Sequence, residues 1–435
     1  MKKSFYHYVL PSMLAFAFSG LYSIVDGLFI GRTLGDAGLS AINFSYPLVV
    51  LIQATGTGIG LGGSVGISMS IGQNNKKLTN RYVGNSLTLL VLSCVILTFV
   101  LAMFSQPVLV AFGAKGNILS YGKEYLHWII LGASFQIIAN GLAPILRNFG
   151  RPTLVMLAMV GGFLTNIFLD WLFVPVLGFG MKGAAIATVL GQLITLLPCI
   201  LPLVRILRPF SFNHYLLRSS LIMNILRTGL SPFGLAVAPY IILILMNKAC
   251  VVYGGEKAIA AYSVISYIVS FMQLILQGIG DGCQPLISLY LGQEKKQEAI
   301  KTRNFAYKFS FFVATAYALF IFLFRRQVPV LFGSSTEVGA LVAAVLPLFC
   351  VTFLLYSFSR ITTSYFYATM QNRLSFLTIY GEPVLVFLLL QYLLAPTLGL
   401  KGVWLSVPVA QFAVFLLGVF FIKKEGRVKK FSNAA

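Results

Sequence analysis

Uncharged apolar stretches of about twenty residues recur along this chain, and no other feature of it restricts the fold as severely. Leu87 to Phe104 is one and Val403 to Ile422 is another. Runs this long read as helices that cross a bilayer. In hydrocarbon every backbone N–H and C=O must be satisfied internally, which leaves helices and closed barrels. The runs show no alternation of polar and apolar residues, and that excludes a barrel. Dividing the 435 residues at their polar clusters gives about twelve such runs. The expected fold is an all-α membrane protein with twelve transmembrane helices.

The formal charge of +21 invites a nucleic-acid reading, and placement rejects it. Basic residues sit in short loops between spans instead of along one soluble face. With alternate loops assigned to the cytoplasm from Lys2 and Lys3 onward, 21 of the 32 basic residues fall on that side and nine outside. Arg325 and Arg326 are the worst exceptions, and Lys308 and Arg360, near span ends, stay unassigned. The excess of positive charge inside puts both termini in the cytoplasm, in the cell's inner membrane. The five cysteines lie within apolar runs without paired spacing and read as buried thiols. The first twenty residues mimic a signal peptide, but the run continues past Gly20 to Asp26 without a polar break, so an uncleaved first helix is expected.

A repeat organises the chain. Residues 53–73 and 273–293 match at nine of 21 positions with a constant offset of 220, among them Gln53/Gln273, Gly58/Gly278, Gly60/Gly280 and Gly72/Gly292. Asp36 recurs as Glu256, Phe112-Gly113 as Phe332-Gly333, and Lys182-Gly183 as Lys401-Gly402. The expected organisation is two six-helix lobes, residues 1–204 and 228–422, with a basic cytoplasmic linker at 205–227 and a cytoplasmic tail at 423–435. Six spans is an even number, so the halves enter the membrane alike and form a parallel pseudo-two-fold repeat about the membrane normal. Two such lobes imply a central cleft exposed to each side in turn, as in secondary transporters. No GxxxxGK[ST] phosphate loop occurs, so the energy must come from a gradient.

Four of the eleven acidic residues lie within apolar runs: Asp26, Asp170, Asp281 and Glu382. A carboxylate in hydrocarbon costs roughly 2.5–3.5 kcal/mol, so each needs an interior, a partner or water. Asn166 precedes Asp170 by four residues and Tyr22 precedes Asp26 by four, so each pair shares a helical face. Thr188 adds a hydroxyl in the sixth span. Two carboxylates, an amide oxygen and a hydroxyl suit a small hard cation such as Na+. Two nearby carboxylates can instead share a proton. A polar cluster that only ties helices together is the bland alternative.

These residues resemble the multidrug and toxic compound extrusion (MATE) family, especially its prokaryotic members. The likeness rests on Asp26-Gly-Leu-Phe-Ile-Gly followed by Leu34-Gly35, on Asn166-x3-Asp170, on Lys182-Gly183-Ala184-Ala185 leading to Thr188, and on Gly280-Asp281-Gly282-x2-Pro285-Leu286. It covers all twelve spans. By that resemblance Tyr22, Asp26, Asn166, Asp170 and Thr188 form the cation-coupling site of the first lobe, and Pro11 occupies the place of a first-helix proline around which some members bend. Asp281 has Leu61 as its counterpart in the first half and is a candidate for substrate contact or coupling; Glu382 has no family role and could simply reach the interface.

Gln53, Gln273, Gln277 and Met272 are candidates to line the cleft, where amides and a thioether suit varied ligands. Pro232 and Pro239 should bend or unwind the seventh span. The glycines from Gly56 to Gly66 permit close helix packing or pliability. His7, His127 and His214 form no metal or catalytic pattern. The expectation is an antiporter, not an enzyme, that needs no cofactor beyond its coupling Na+ or H+. It exports lipophilic, cationic small molecules, contacts membrane lipids, binds no nucleic acid and functions as a monomer. A lipid-linked precursor flippase and a membrane-embedded enzyme are the competing readings.

Overall fold

The computed structural model describes residues 2–206 and 214–432, without side chains at Ser23, Asp36 or beyond Glu425. Arg208 and the middle of the expected linker, and the last three residues of the expected tail, lie outside the described residues. The described residues form helices and short turns and contain no strand. The order is α1 (Lys2–Gly72), α2 (Lys76–Ala111), α3 (Gly116–Leu131), α4 (Ala133–Asn148), α5 (Pro152–Trp171), α6 (Gly180–Ile206) and α7 (Ser219–Gly292). Then follow α8 (Lys296–Leu323), α9 (Val328–Leu331), α10 (Thr336–Ala368), α11 (Asn372–Leu388), α12 (Leu394–Leu398) and α13 (Leu400–Ser432). One π-helical turn, Leu172–Val176, follows α5, and another, Leu389–Leu393, follows α11.

Burial is inverted relative to a soluble protein. Val95, Phe99, Phe312 and Leu323 are each at least 65% exposed, whereas Asn85, Asp170, Asp281 and Gln411 are enclosed. Lipid is the solvent that such a surface fits. Among the described residues ten helices are long and apolar enough to cross a membrane, or eleven if α3 and α4, bent by 56° at their junction, count as one span.

At 71 and 74 residues, α1 and α7 are too long for one crossing; such helices run about 110 Å, against 40–45 Å for a whole bilayer. Each is broken at a glycine, Gly35 (φ 63°, ψ −156°) and Gly255 (φ 62°, ψ −158°). That backbone region is open to glycine almost alone. Other positive φ values follow the same spacing: Asn74 (54°) and Glu294 (61°), Gly113 (99°) and Gly333 (68°), Gly150 (77°) and Met370 (57°). The hydrogen bonds correspond too. Asn75 N donates to Ser70 O at 2.9 Å and Asn74 N to Ile71 O at 3.0 Å; Lys295 N donates to Tyr290 O at 2.8 Å and Glu294 N to Leu291 O at 3.0 Å. These are the paired bonds with which a left-handed residue closes a helix.

The chain divides into two compact units. One holds α1 to α6 with both ends of α7; the other holds Val237–Ile287 of α7 with α8 to α13. The first is packed on glycine. A Cβ at Gly56 or Gly60 would run into the α4 backbone at Ile137 or Gly141, and one at Gly58 or Gly62 into Gly229 or Ile225 of α7. The glycines of α1 therefore serve close packing. In the same unit Asn85 of α2 donates to His214 O and Leu216 O, both at 3.2 Å, and accepts from Arg218 N at 2.9 Å, so one amide ties down the segment that leads into α7.

The prolines lie inside continuous helix. Helix α7 continues unbroken through Pro232 and Pro239, and α1 through Pro11; the interruption in α7 is at Gly255. A proline inside a membrane helix forfeits one backbone bond, which neighbouring helices and local adjustment can make good without unwinding.

Candidate functional site

Three helices of the first unit meet at a polar cluster. Helices α5 and α6 approach along Gly162 and Gly191, where a Cβ on Gly162 would stand 2.6 Å from Gly191 O and one on Gly191 would stand 2.9 Å from Asn166 Cβ. Asn166 lies one turn beyond Gly162, and Thr188 nearly one turn before Gly191, so the close seam turns both toward the same interior. Asp170 is fully enclosed, and Asn166 and Thr188 are 2% and 5% exposed. From α1, Asp26 comes close enough to Asp170 for the two carboxyls to interact. The Tyr22 ring stacks on Phe163 of α5 at 5.1 Å with 4° between planes, which locks that face of α1 to α5.

The cluster is short of partners. Both oxygens of Asp170, both amide atoms of Asn166, Thr188 Oγ1 and Asp26 Oδ1 are buried without a hydrogen-bond partner. A buried polar atom left unpaired costs about 1–3 kcal/mol, and this many in one place demand something that satisfies them. A shared proton or a hard cation meets that demand, since every acceptor here is oxygen. Five residues singled out in the sequence, Tyr22, Asp26, Asn166, Asp170 and Thr188, thus lie together. Two more escaped it: Tyr125 of α3 stands within electrostatic reach of both carboxylates, and Tyr46 of α1 within reach of Tyr22 and Tyr125.

Of the remaining candidates, Gln53 lies on α1, and Met272, Gln273 and Gln277 lie within two turns of α7. Gln53, Gln273 and Gln277 are half-buried, and Met272 is fully enclosed. Asp281 and Glu382 belong to a separate polar line in the second unit. Tyr367 donates to Asp281 Oδ1 at 2.7 Å and Tyr356 to Glu382 Oε1 at 2.5 Å. Glu382 therefore turns into the protein instead of reaching the interface, because a phenol inside offers its carboxylate a donor that lipid cannot. Arg360 is likewise turned inward. It is 7% exposed within α10 and lies close enough to both Glu382 and Asp281 to interact with them. Tyr356, Arg360 and Tyr367 fall at i, i+4 and i+11, a helical face that the sequence carried in plain sight.

An all-helical chain with a lipid-fitting surface and ionisable groups at its centre is a multi-pass membrane protein. The MatE family model matches residues 11–172 and, separately, 232–393, and the chain belongs to that family. Multidrug export protein MepA of Staphylococcus haemolyticus is 26% identical over 432 residues, 97% of this chain and 93% of its own. Probable multidrug resistance protein YoeA of Bacillus subtilis is 23% identical over 425 residues, 95% of this chain and 91% of its own. A solved outward-facing multidrug resistance MATE family transporter of the MOP superfamily superimposes with a TM-score of 0.89 at 25% identity, covering 99% of this chain and 97% of that one.

Proposed function

We propose that the protein is a secondary active antiporter that exports lipophilic, cationic small molecules in exchange for Na+ or H+. The relatives' names and the family membership support export of varied drugs. The observation that carries the coupling is the set of buried, unpartnered polar atoms on Asp26, Asn166, Asp170 and Thr188. In the exchange, one conformation binds the cation at Asp26 and Asp170 and lets the drug go; the other releases the cation and admits the drug. Coupling requires that the two conformations differ in affinity for the cation.

Twelve spans in two repeated six-helix lobes fit this role. Helices α1 and α7 each divide at a left-handed glycine, α3 with α4 makes one bent span, and positive-φ residues recur 220 positions apart; all three support the duplication. The twofold match of the family model supports it as well. The lobes are residues 1–204 and 228–422, joined by a cytoplasmic linker, with both termini in the cytoplasm and the chain in the inner membrane as a monomer among lipids. The protein is not an enzyme and uses no cofactor. A lipid-linked precursor flippase draws on the buried Arg360, and two acids beside it outweigh that charge.

Efflux of ethidium from cells tests the proposal, with the Na+ and pH gradients collapsed separately. Asp170→Asn should insert normally and lose gradient-driven efflux. Unchanged efflux by that variant would defeat the reading, and whichever gradient stops the wild type names the coupling ion.

A further inference from the structure

A narrow crevice in the first unit has no part in the antiporter reading. It lies between α1, the last turn of α4 and the start of α5, and its lining includes Pro11, Ser12, Phe16, Arg147, Met156 and Met159. Its two polar residues are enclosed: Ser12 is 4% exposed and Arg147 is 5% exposed. Ser12 Oγ is buried without a hydrogen-bond partner. The Arg147 guanidinium carbon stands 6.0 Å from the centroid of the Phe16 ring, which holds the charge on the α1 side. Helix α5 begins at Pro152 with no side chain capping its first turn, and Pro152 and Val155 also line the crevice.

The guanidinium, the hydroxyl and the helix start all favour negative charge. A guanidinium pairs with phosphate through its planar fork, a hydroxyl has a proton to donate, and an uncapped helix start carries the positive end of the dipole. Among the described residues no carboxylate lines the crevice, so a cationic drug finds no counter-charge there. We propose that the crevice binds the phosphate of an anionic membrane lipid, with Arg147 and Ser12 on the phosphate and an acyl chain along the remaining wall. That wall decides between a lipid and free phosphate. Apart from Ser12 and Arg147 it is apolar, and a hydrated ion loses water against it without compensation. A lipid brings its own hydrocarbon, and the half-buried Met156 and Met159 have the unbranched, adaptable side chains that can shift to admit it. Depth agrees: Lys2 and Lys3 at the start of α1 and Arg151 just before α5 are exposed, and a basic pocket between helices close to such an interface suits a lipid head group. The leaflet that supplies the lipid follows from the orientation proposed above; the site itself does not depend on it.

Native mass spectrometry of the delipidated full-length protein reads the binding, with phosphatidylglycerol titrated against phosphatidylcholine of the same acyl chains. The wild type should take up a phosphatidylglycerol about tenfold more tightly than a phosphatidylcholine, whose choline offsets the phosphate charge, and excess inorganic phosphate should not displace it. Arg147→Gln should weaken phosphatidylglycerol binding by about tenfold and Ser12→Ala by about fivefold. Met156→Trp keeps the charge and fills the crevice, and should abolish the tight binding; with Ser12→Ala it carries the test if Arg147→Gln does not fold. Arg227→Gln removes an exposed cation elsewhere in the same unit and should bind as the wild type does. The site is refuted if the two lipids bind alike, if inorganic phosphate displaces the lipid, if either Ser12→Ala or Met156→Trp binds phosphatidylglycerol as tightly as the wild type, or if Arg227→Gln weakens it as much as Arg147→Gln. None of these outcomes depends on ethidium efflux or on Asp26 and Asp170, so this site and the antiporter reading can fail separately.

Discussion

Asp170 sits fully enclosed with neither carboxylate oxygen hydrogen-bonded. Its presence therefore works against the resting fold. Replacing a buried, poorly compensated charge with a neutral isostere is commonly neutral or stabilising. Asp170→Asn should accordingly melt in detergent at or above the wild-type temperature while losing efflux; a clearly lower melting point would mean that the carboxylate holds the helices together. Glu382 behaves in the opposite way. Its carboxylate accepts from Tyr356 at 2.5 Å, and hydrogen bonds to charged groups contribute about 1.5–3 kcal/mol. Tyr356→Phe should lower stability by an amount in that range, as read by thermal melting. These contrasts also show what a sequence can reveal. Asp26 and Asp170 stood out because charge in an apolar run is conspicuous and their partners Tyr22 and Asn166 are local. Tyr125 and Arg360 reach their clusters from other elements than the acids, and Tyr46 follows Asp26 on α1 only beyond the break at Gly35, so only folding discloses them. Arg360 read as a residue near a span end, with Ser357 and Ser359 before it and Thr362, Thr363 and Ser364 after it, and its acidic neighbours lie 79 residues before it and 22 after.

At the scale of the helix, glycine divides into two kinds. Gly60 of α1 meets the backbone of Gly141, whereas a Cβ at Gly161 of α5 would meet nothing within 4 Å. Gly60→Ala should destabilise by about 1–3 kcal/mol through overpacking. Gly161→Ala should stabilise by about 0.5–1 kcal/mol through helix propensity. Melting both variants in the same detergent separates the two effects, and equal shifts would show that the seam is loose. Left-handed positions give a further test. Glu294 and Met370 hold φ of 61° and 57° without being glycine, a strain of about 1–2 kcal/mol per residue. Glu294→Gly and Met370→Gly should each raise the melting temperature, with the chain entropy of glycine offsetting part of the relief. The expectation of a repeat came from nine identical positions of 21 at one offset, and helix-ending turns keep that spacing even where residue identity drifts from glycine to methionine. The course of α7 was less so. Pro232 and Pro239 pointed to a bend or unwinding there; both lie within continuous helix, and the non-helical residue is Gly255, whose role depends on a backbone angle that residue type alone does not announce.

For the molecule as a whole, orientation is the cheapest property to check. A reporter enzyme active only outside the membrane, fused after Ala435, should stay silent, and a cytoplasmic fluorescent fusion at the same point should shine; the reverse result would invert every loop assignment made from charge. The glycine seam of the first unit has an evolutionary corollary. Where main chain rests on main chain at Gly56, Gly58, Gly60 and Gly62, no side chain is free to be traded for another, and selection has nothing to vary. A lineage acquiring new cargo has to accumulate its changes elsewhere, at half-buried positions such as Gln53 and Gln273. Along that seam, substitutions in natural variants should be scarce even as the rest of the chain diverges.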